Sequence, residues 1–117
     1  GVCHVYVHKD ANVQMAVDIV VNAKTSRPSV CNSMDTVIVD EKIAPAFLKQ
    51  VSASFEQKKV IIYADTKAYK LLKGYPYLYK AAKEDFYREF LSLTCAVKIV
   101  KNEKEALGHI AEHGTKH

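Results

Sequence analysis

Short runs rich in β-branched residues alternate along this chain with longer segments whose apolar residues recur at helical spacing, and that alternation constrains the fold more than any other feature. Val2 to Val7, Thr36 to Val39, Lys59 to Ala64 and Cys95 to Val100 read as four strands. Between them, Val13, Ala16, Val17, Val20 and Val21 make one apolar stripe, and Ile43, Phe47, Leu48, Val51 and Phe55 make another. Strands separated by helical segments cannot pair as hairpins. They pair in parallel, through crossover connections, and this predicts an α/β domain with a mainly parallel sheet flanked by helices.

Local chemistry places the boundaries. Asp10 or Asn12 is suited to cap the first helix, and Pro28 forbids its continuation because the residue before a proline is pushed to extended conformations. Asp40 ends the second strand, and Pro45 is tolerable only in the first turn of the helix that follows. Asp65 caps a short helix that stops at Gly74, and a loop containing Tyr75 and Pro76 comes next. Glu84 to Leu91 reads as a helical turn or more. Asn102 caps a last helix bearing Ala106, Leu107, Ile110 and Ala111, which Gly114 ends. Several β-branched residues in the first helix lower its intrinsic propensity, so burial has to stabilise it.

Composition then excludes several functional classes. At 117 residues, 49% hydrophobic and 26% charged, the chain has the size and make-up of one globular domain. It has no apolar run of the roughly 20 residues that span a bilayer and no signal-peptide pattern at its start, so no membrane partner and a cytoplasmic location are expected. Three cysteines, Cys3, Cys31 and Cys95, are odd in number and far apart, which argues for reduced thiols. They lack paired metal-ligand spacing. His4 with His8, and His109 with His113, stand four apart, but only the second pair falls on a helix and no third ligand is evident, so no metal is expected. The net charge of +4 and the lysines interleaved with tyrosines from Lys67 to Lys83 fit a solvated surface better than a nucleic-acid site, because no recognition motif accompanies them.

Cys31 is the residue that calls for a chemical explanation. It lies in RPSVCN, a polar, proline-containing junction between the first helix and the second strand, where a thiol can be exposed while scaffolding on both sides fixes its position. The alternative is a small buried hydrophobe, the common fate of a free cysteine. Arg27 and Lys24 are near in sequence and could favour a thiolate or hold an anionic substrate. Arg27 is the better candidate because its guanidinium pairs in bidentate fashion. The backbone N–H of Cys31, with Asn32 beside it, could stabilise an oxyanion, although the Asn32 side chain could equally shape the turn.

The stretch from Gly1 to Val39, with RPSVCN as its most specific motif, resembles the catalytic domain of the gamma-glutamyl phosphate reductases, within the aldehyde dehydrogenase superfamily. EFLSLTCAVKIV and EALGHIAEHGTKH extend the resemblance over essentially the whole chain. It implies a cysteine nucleophile at Cys31, NADPH as cofactor and L-glutamyl 5-phosphate as small-molecule substrate, reduced to L-glutamate 5-semialdehyde in proline biosynthesis. REFLSL is similar to the superfamily's glutamate-containing motif, which implies that Glu89 binds ribose hydroxyls of the cofactor, with Leu91 where an aromatic usually stands. Asp35 occupies a position that is usually Glu, and His8 one that is usually Asp.

The resemblance also implies that residues 1–117 form an incomplete, thiol-bearing catalytic domain without a dinucleotide-binding domain, inactive alone and capable of self-association as a homo-oligomer. Other readings stay open at this point. The chain could serve a thiol-dependent acyl-transfer or aldehyde-oxidising enzyme, or act as a non-catalytic basic binding module.

Overall fold

A computed structural model describes residues 2–26, 34–90 and 92–114. Five strands, β1 (His4–Val7), β2 (Thr36–Asp40), β3 (Ile61–Ala64), β4 (Leu78–Lys80) and β5 (Thr94–Val100), form one sheet in the order β1-β2-β5-β3-β4. Every pairing is parallel. Among the described residues four α-helices accompany it: α1 (Val13–Thr25), α2 (Ala44–Gln57), α3 (Thr66–Leu71) and α4 (Glu103–Gly114). The alternation read from the sequence is therefore the alternation of the fold.

Strand position explains strand composition. All five residues of β2 are buried, as are six of the seven in β5, because these inner strands carry side chains into cores on both faces of the sheet. On one face Val37, Val39, Cys95, Val97 and Ile99 meet Ala16, Val17 and Val20 of α1 and Phe47, Leu48, Val51 and Phe55 of α2. Ile38 and Val100 point to the other face, where Ala106 of α4 covers them. One-residue alternation thus divides a continuous apolar run between two layers.

The caps act as the side-chain chemistry requires. Asn12, not Asp10, caps α1, its side-chain oxygen accepting from the N–H of Met15 at 2.9 Å. Asn102 does the same for Glu105 in α4 at 2.9 Å. Asp65 accepts from Ala68 at the start of α3 with one oxygen and from Ile99 of β5 with the other, so a single carboxylate caps a helix and ties it to the central strand. Pro45 sits in the first turn of α2, where its missing N–H costs no helical bond. Gly74 adopts φ +97°, which ends the turn after α3 in a conformation that side chains with a Cβ disfavour.

Two elements differ from the sequence reading. β4 is an additional strand, a three-residue edge paired to Ile62–Ala64, in a stretch read as loop. Backbone pairing to β3 produces it; its own tyrosine and lysine content carries no strand pattern. Residues Lys83–Tyr87 form a 3-10 helix, shorter than the segment expected to run to Leu91, because Asp85 folds back to accept from the N–H of Ala82 at 2.7 Å and Arg88 leaves in an extended conformation.

Candidate active site at the amino edge of the sheet

The parallel arrangement puts the amino ends of all strands along one edge. There α1 ends at Thr25 and the chain re-enters the described structure at Met34, just before β2. Arg27, Cys31 and Asn32 lie between these points, outside the described residues, as does Leu91. Their flanks are fixed. The N–H of Met34 donates to the carbonyl of Ala23 at 3.2 Å, which joins the last turns of α1 to the residue pair that leads into β2.

Lys24 closes that corner. Its side chain is 0% exposed, and its Nζ donates to the carbonyls of Met34 at 2.6 Å, Thr94 at 2.9 Å and Phe90 at 3.3 Å. An ammonium has three hydrogens, and three carbonyls take them. Lys24 is therefore not available to hold a substrate anion, and the role offered to it as an alternative to Arg27 is corrected. Burial lowers its pKa, an effect opposed by the nearby Asp35 carboxylate.

Asp35 completes the arrangement from the other side. It is 2% exposed, and its carboxylate oxygens accept from the N–H of Phe90 at 2.6 Å and of Cys3 at 2.9 Å. Its own backbone N–H donates to Cys3 at 2.9 Å and its carbonyl accepts from Ala96 at 2.8 Å. Asp35 thus pins the starts of β1, β2 and β5 to each other. A carboxylate in this position has a structural task, whatever the length of the side chain usual in relatives.

Glu89 stands next to this junction. Its side chain is exposed, and both neighbours in sequence are anchored. Phe90 is held through its N–H by Asp35 and through its carbonyl by Lys24. Arg88 donates to Asp85 at 2.7 Å, and its guanidinium lies 4.6 Å from the ring centre of Phe90 and 5.4 Å from that of Tyr63. A cation over aromatic faces adds roughly 0.5–1 kcal/mol at a partly exposed site. The backbone carrying the Glu89 carboxylate is thereby fixed at both sides, which suits an acceptor for paired hydroxyls.

The other thiols are distinguished by environment. Cys95 is 0% exposed within the main core, and burial pushes its pKa up to about 12, so it is protonated and inert at neutral pH. Cys3 is partly exposed. Among the described residues no group of three or more His, Cys, Asp or Glu side chains is placed to hold a metal, and no helix is long and apolar enough to cross a membrane.

No family model matches the chain. Individual proteins do. The gamma-glutamyl phosphate reductase of Carboxydothermus hydrogenoformans is 43% identical over 118 residues, covering 100% of this chain and 28% of that protein. The gamma-glutamyl phosphate reductase of Listeria welshimeri is 46% identical with the same coverage. The crystal structure of that reductase from Thermotoga maritima superposes with a TM-score of 0.89 at 35% identity, covering 97% of this chain and 27% of the other. The chain is a homologue of part of gamma-glutamyl phosphate reductase. It spans little more than a quarter of the relatives it matches.

The aldehyde dehydrogenase architecture is shared more widely than the sequence. Lactaldehyde dehydrogenase from Escherichia coli matches with a TM-score of 0.69 at 14% identity, which speaks for the fold alone. With gamma-glutamyl phosphate reductase as the reference, the family resemblance and the α/β fold expected from the sequence both stand. Phe90 and Arg88 are residues that sequence reasoning passed over, and Lys24 and Asp35, both singled out there, take backbone-anchoring roles in place of a substrate contact. One signal was available for Lys24: it follows Val17 and Val20 at spacings of seven and four, which puts a charge on the buried stripe of α1.

Proposed function

We propose that this chain is the thiol-bearing portion of an enzyme that reduces L-glutamyl 5-phosphate to L-glutamate 5-semialdehyde and phosphate, a step of proline biosynthesis, with NADPH as reductant. The observation that carries this reading is similarity to gamma-glutamyl phosphate reductases across the whole chain at 43–46% identity. The fold match to the Thermotoga enzyme supports it.

In this reading Cys31 is the nucleophile. Its thiolate attacks the acyl carbon of the acyl phosphate, the C–O bond to phosphate breaks, and a thioester on sulfur remains. Arg27 pairs with the phosphate or carboxylate of the substrate, and the backbone N–H of Cys31 with the Asn32 amide stabilises the oxyanion formed on attack. Glu89 accepts from ribose hydroxyls of NADPH; its exposed carboxylate on a fixed backbone fits that task. The nicotinamide, when bound, supplies the hydride that reduces the acyl group. Breaking the C–S bond of the resulting thiohemiacetal then releases the aldehyde and returns the thiolate.

A nucleophile of this kind has to ionise below the ordinary thiol value. Alkylation of each cysteine by iodoacetamide between pH 5 and 10, followed by mass spectrometry, is expected to give Cys31 an apparent pKa below about 8.5, with Cys95 unmodified throughout the neutral range. A Cys31 profile like that of a free peptide thiol would count against the mechanism. The chain alone is expected to show no NADPH turnover, because reduction needs a cofactor held against the thioester.

A further inference from the structure

We infer that the carboxyl edge of the sheet carries a binding site for a hydroxyl-bearing phosphate monoester, such as a sugar phosphate, in the crevice where the ends of β2 and β5 meet the start of α4. The inference rests on described residues alone and does not depend on the function proposed above.

Topology opens the crevice. β2 and β5 are neighbours, yet the chain leaves them on opposite faces of the sheet: β2 runs on into α2, which packs with Val37 and Val39, and β5 into α4, whose Ala106 covers Ile38 and Val100. Where adjacent parallel strands send their connections to opposite faces, the loops part and leave a hollow outside the carboxyl ends, the usual ligand position in open α/β sheets. Here the hollow encloses about 350 Å³, which is the scale of a small-molecule site. Its base is closed by backbone, because the N–H of Glu41 donates to the Val100 carbonyl at 2.8 Å.

Charge defines the first half of the ligand. Lys9, Lys42, Lys101 and Lys104 reach the crevice from the loops after β1, β2 and β5 and from the first turn of α4, against two carboxylates, Asp40 and Glu103. Among the described residues none of these four ammonium groups has an ion-pair or hydrogen-bond partner. Other acids of this edge are engaged elsewhere, Glu41 with Lys67 at 3.5 Å and Asp65 with Lys98 at 3.9 Å. The crevice is left with an excess of two positive charges. A phosphate monoester, at about −1.5 to −2 in neutral solution, matches it.

Asp40 defines the second half. It is 1% exposed and lines the crevice, and one carboxylate oxygen accepts from the Lys42 N–H at 3.0 Å. The other oxygen has no hydrogen-bond partner among the described residues. A carboxylate can only accept, so the group it lacks is a donor. A bare anion would be repelled there, whereas a phosphate whose carbon skeleton bears a hydroxyl satisfies the lysines and the carboxylate together.

Ribose 5-phosphate, inorganic phosphate and ribose are the probes, titrated into the chain at neutral pH and followed by calorimetry and backbone amide NMR shifts at low and at physiological salt. Ribose 5-phosphate is expected to move the amides around Asp40 and Asn102 and to bind about tenfold more tightly than inorganic phosphate, with no binding of ribose. Lys42→Ala with Lys101→Ala, both at exposed positions, is expected to weaken it about tenfold or more, and Lys58→Ala, at the far end of α2, by less than about twofold. Asp40→Asn keeps the contact to Lys42 through its amide oxygen and puts an NH2 where the accepting oxygen was. It is expected to weaken ribose 5-phosphate and to tighten inorganic phosphate, opposite signs that general surface charge cannot produce.

Equal affinity for the two phosphates, equal losses in the crevice variant and in Lys58→Ala, or amide shifts scattered over the surface overturn the inference and leave unspecific attraction to a basic protein. Absence of ribose 5-phosphate binding at low salt overturns it as well. Where Asp40→Asn loses cooperative unfolding, the lysine variants and the preference between the two phosphates decide.

Discussion

A lysine, an aspartate and a cysteine in this chain show how far environment overrides residue type. Lys24 and Asp35 would be surface groups by composition, yet each is buried and fully engaged by backbone atoms. Cys95, by contrast, has a reactive group that its setting silences. Its folded pKa is raised to about 12 from an ordinary 9.0, so the proton it keeps in the folded state contributes stability that is fully present below pH 9 and is lost as pH rises towards 12. Tyr75, whose hydroxyl donates to the Val60 carbonyl at 2.6 Å, is shifted upward by burial in the same direction. Urea unfolding followed from pH 8 upward is therefore expected to show falling stability above pH 9, with a shallower fall in Cys95→Ala. Identical slopes for the two proteins would refute this assignment of the alkaline loss.

Caps and edges decide where the elements begin. Asn12 accepts from the Met15 N–H at 2.9 Å in an exposed setting, so Asn12→Ala leaves one helix-end donor to water and is expected to cost about 1 kcal/mol in urea unfolding. Asp10→Ala, which removes the other sequence-level candidate, is expected to cost less than half of that. A larger effect at Asp10 would show that the cap has been assigned to the wrong residue. Strands follow a different rule. β2 and β5 are evident from their apolar, β-branched content, whereas β4 is a strand because β3 presents a free edge to it. No local pattern in Leu78–Lys80 specifies that pairing, and burial of its three residues is slight.

Across the domain, stability is concentrated between the central strands and α2. Phe47 and Phe55 are both 0% exposed and lie in the largest core cluster, under strands that pair only with residues distant in sequence. Phe55→Ala is expected to lower unfolding free energy by about 3–5 kcal/mol, a large share of the ~5–15 kcal/mol of a typical domain. Tyr79→Ala on the edge strand, where the side chain is 55% exposed, is expected to cost far less. Equal losses at the two positions would contradict a stability centred on β2, β5 and α2. The same geometry makes the amino edge a dependable platform, since β2 and β5 are the two most deeply buried strands and both begin there.

Residue order alone settled the α/β class, the helical and strand periodicities, the caps at Asp65 and Asn102, and the choice of Cys31 as the thiol to explain, because each depends on interactions between neighbours a few positions apart, whereas for α1 it offered both Asp10 and Asn12 and the fold took Asn12. Strand order, the pairing of β4 and the meeting of Lys24, Asp35 and Phe90 depend on contacts across 10 to 70 positions, and the deciding quantity there is burial. Once a sheet edge excludes water, a charge has to find its partners inside the protein, and the folded chain settles which backbone atoms those are.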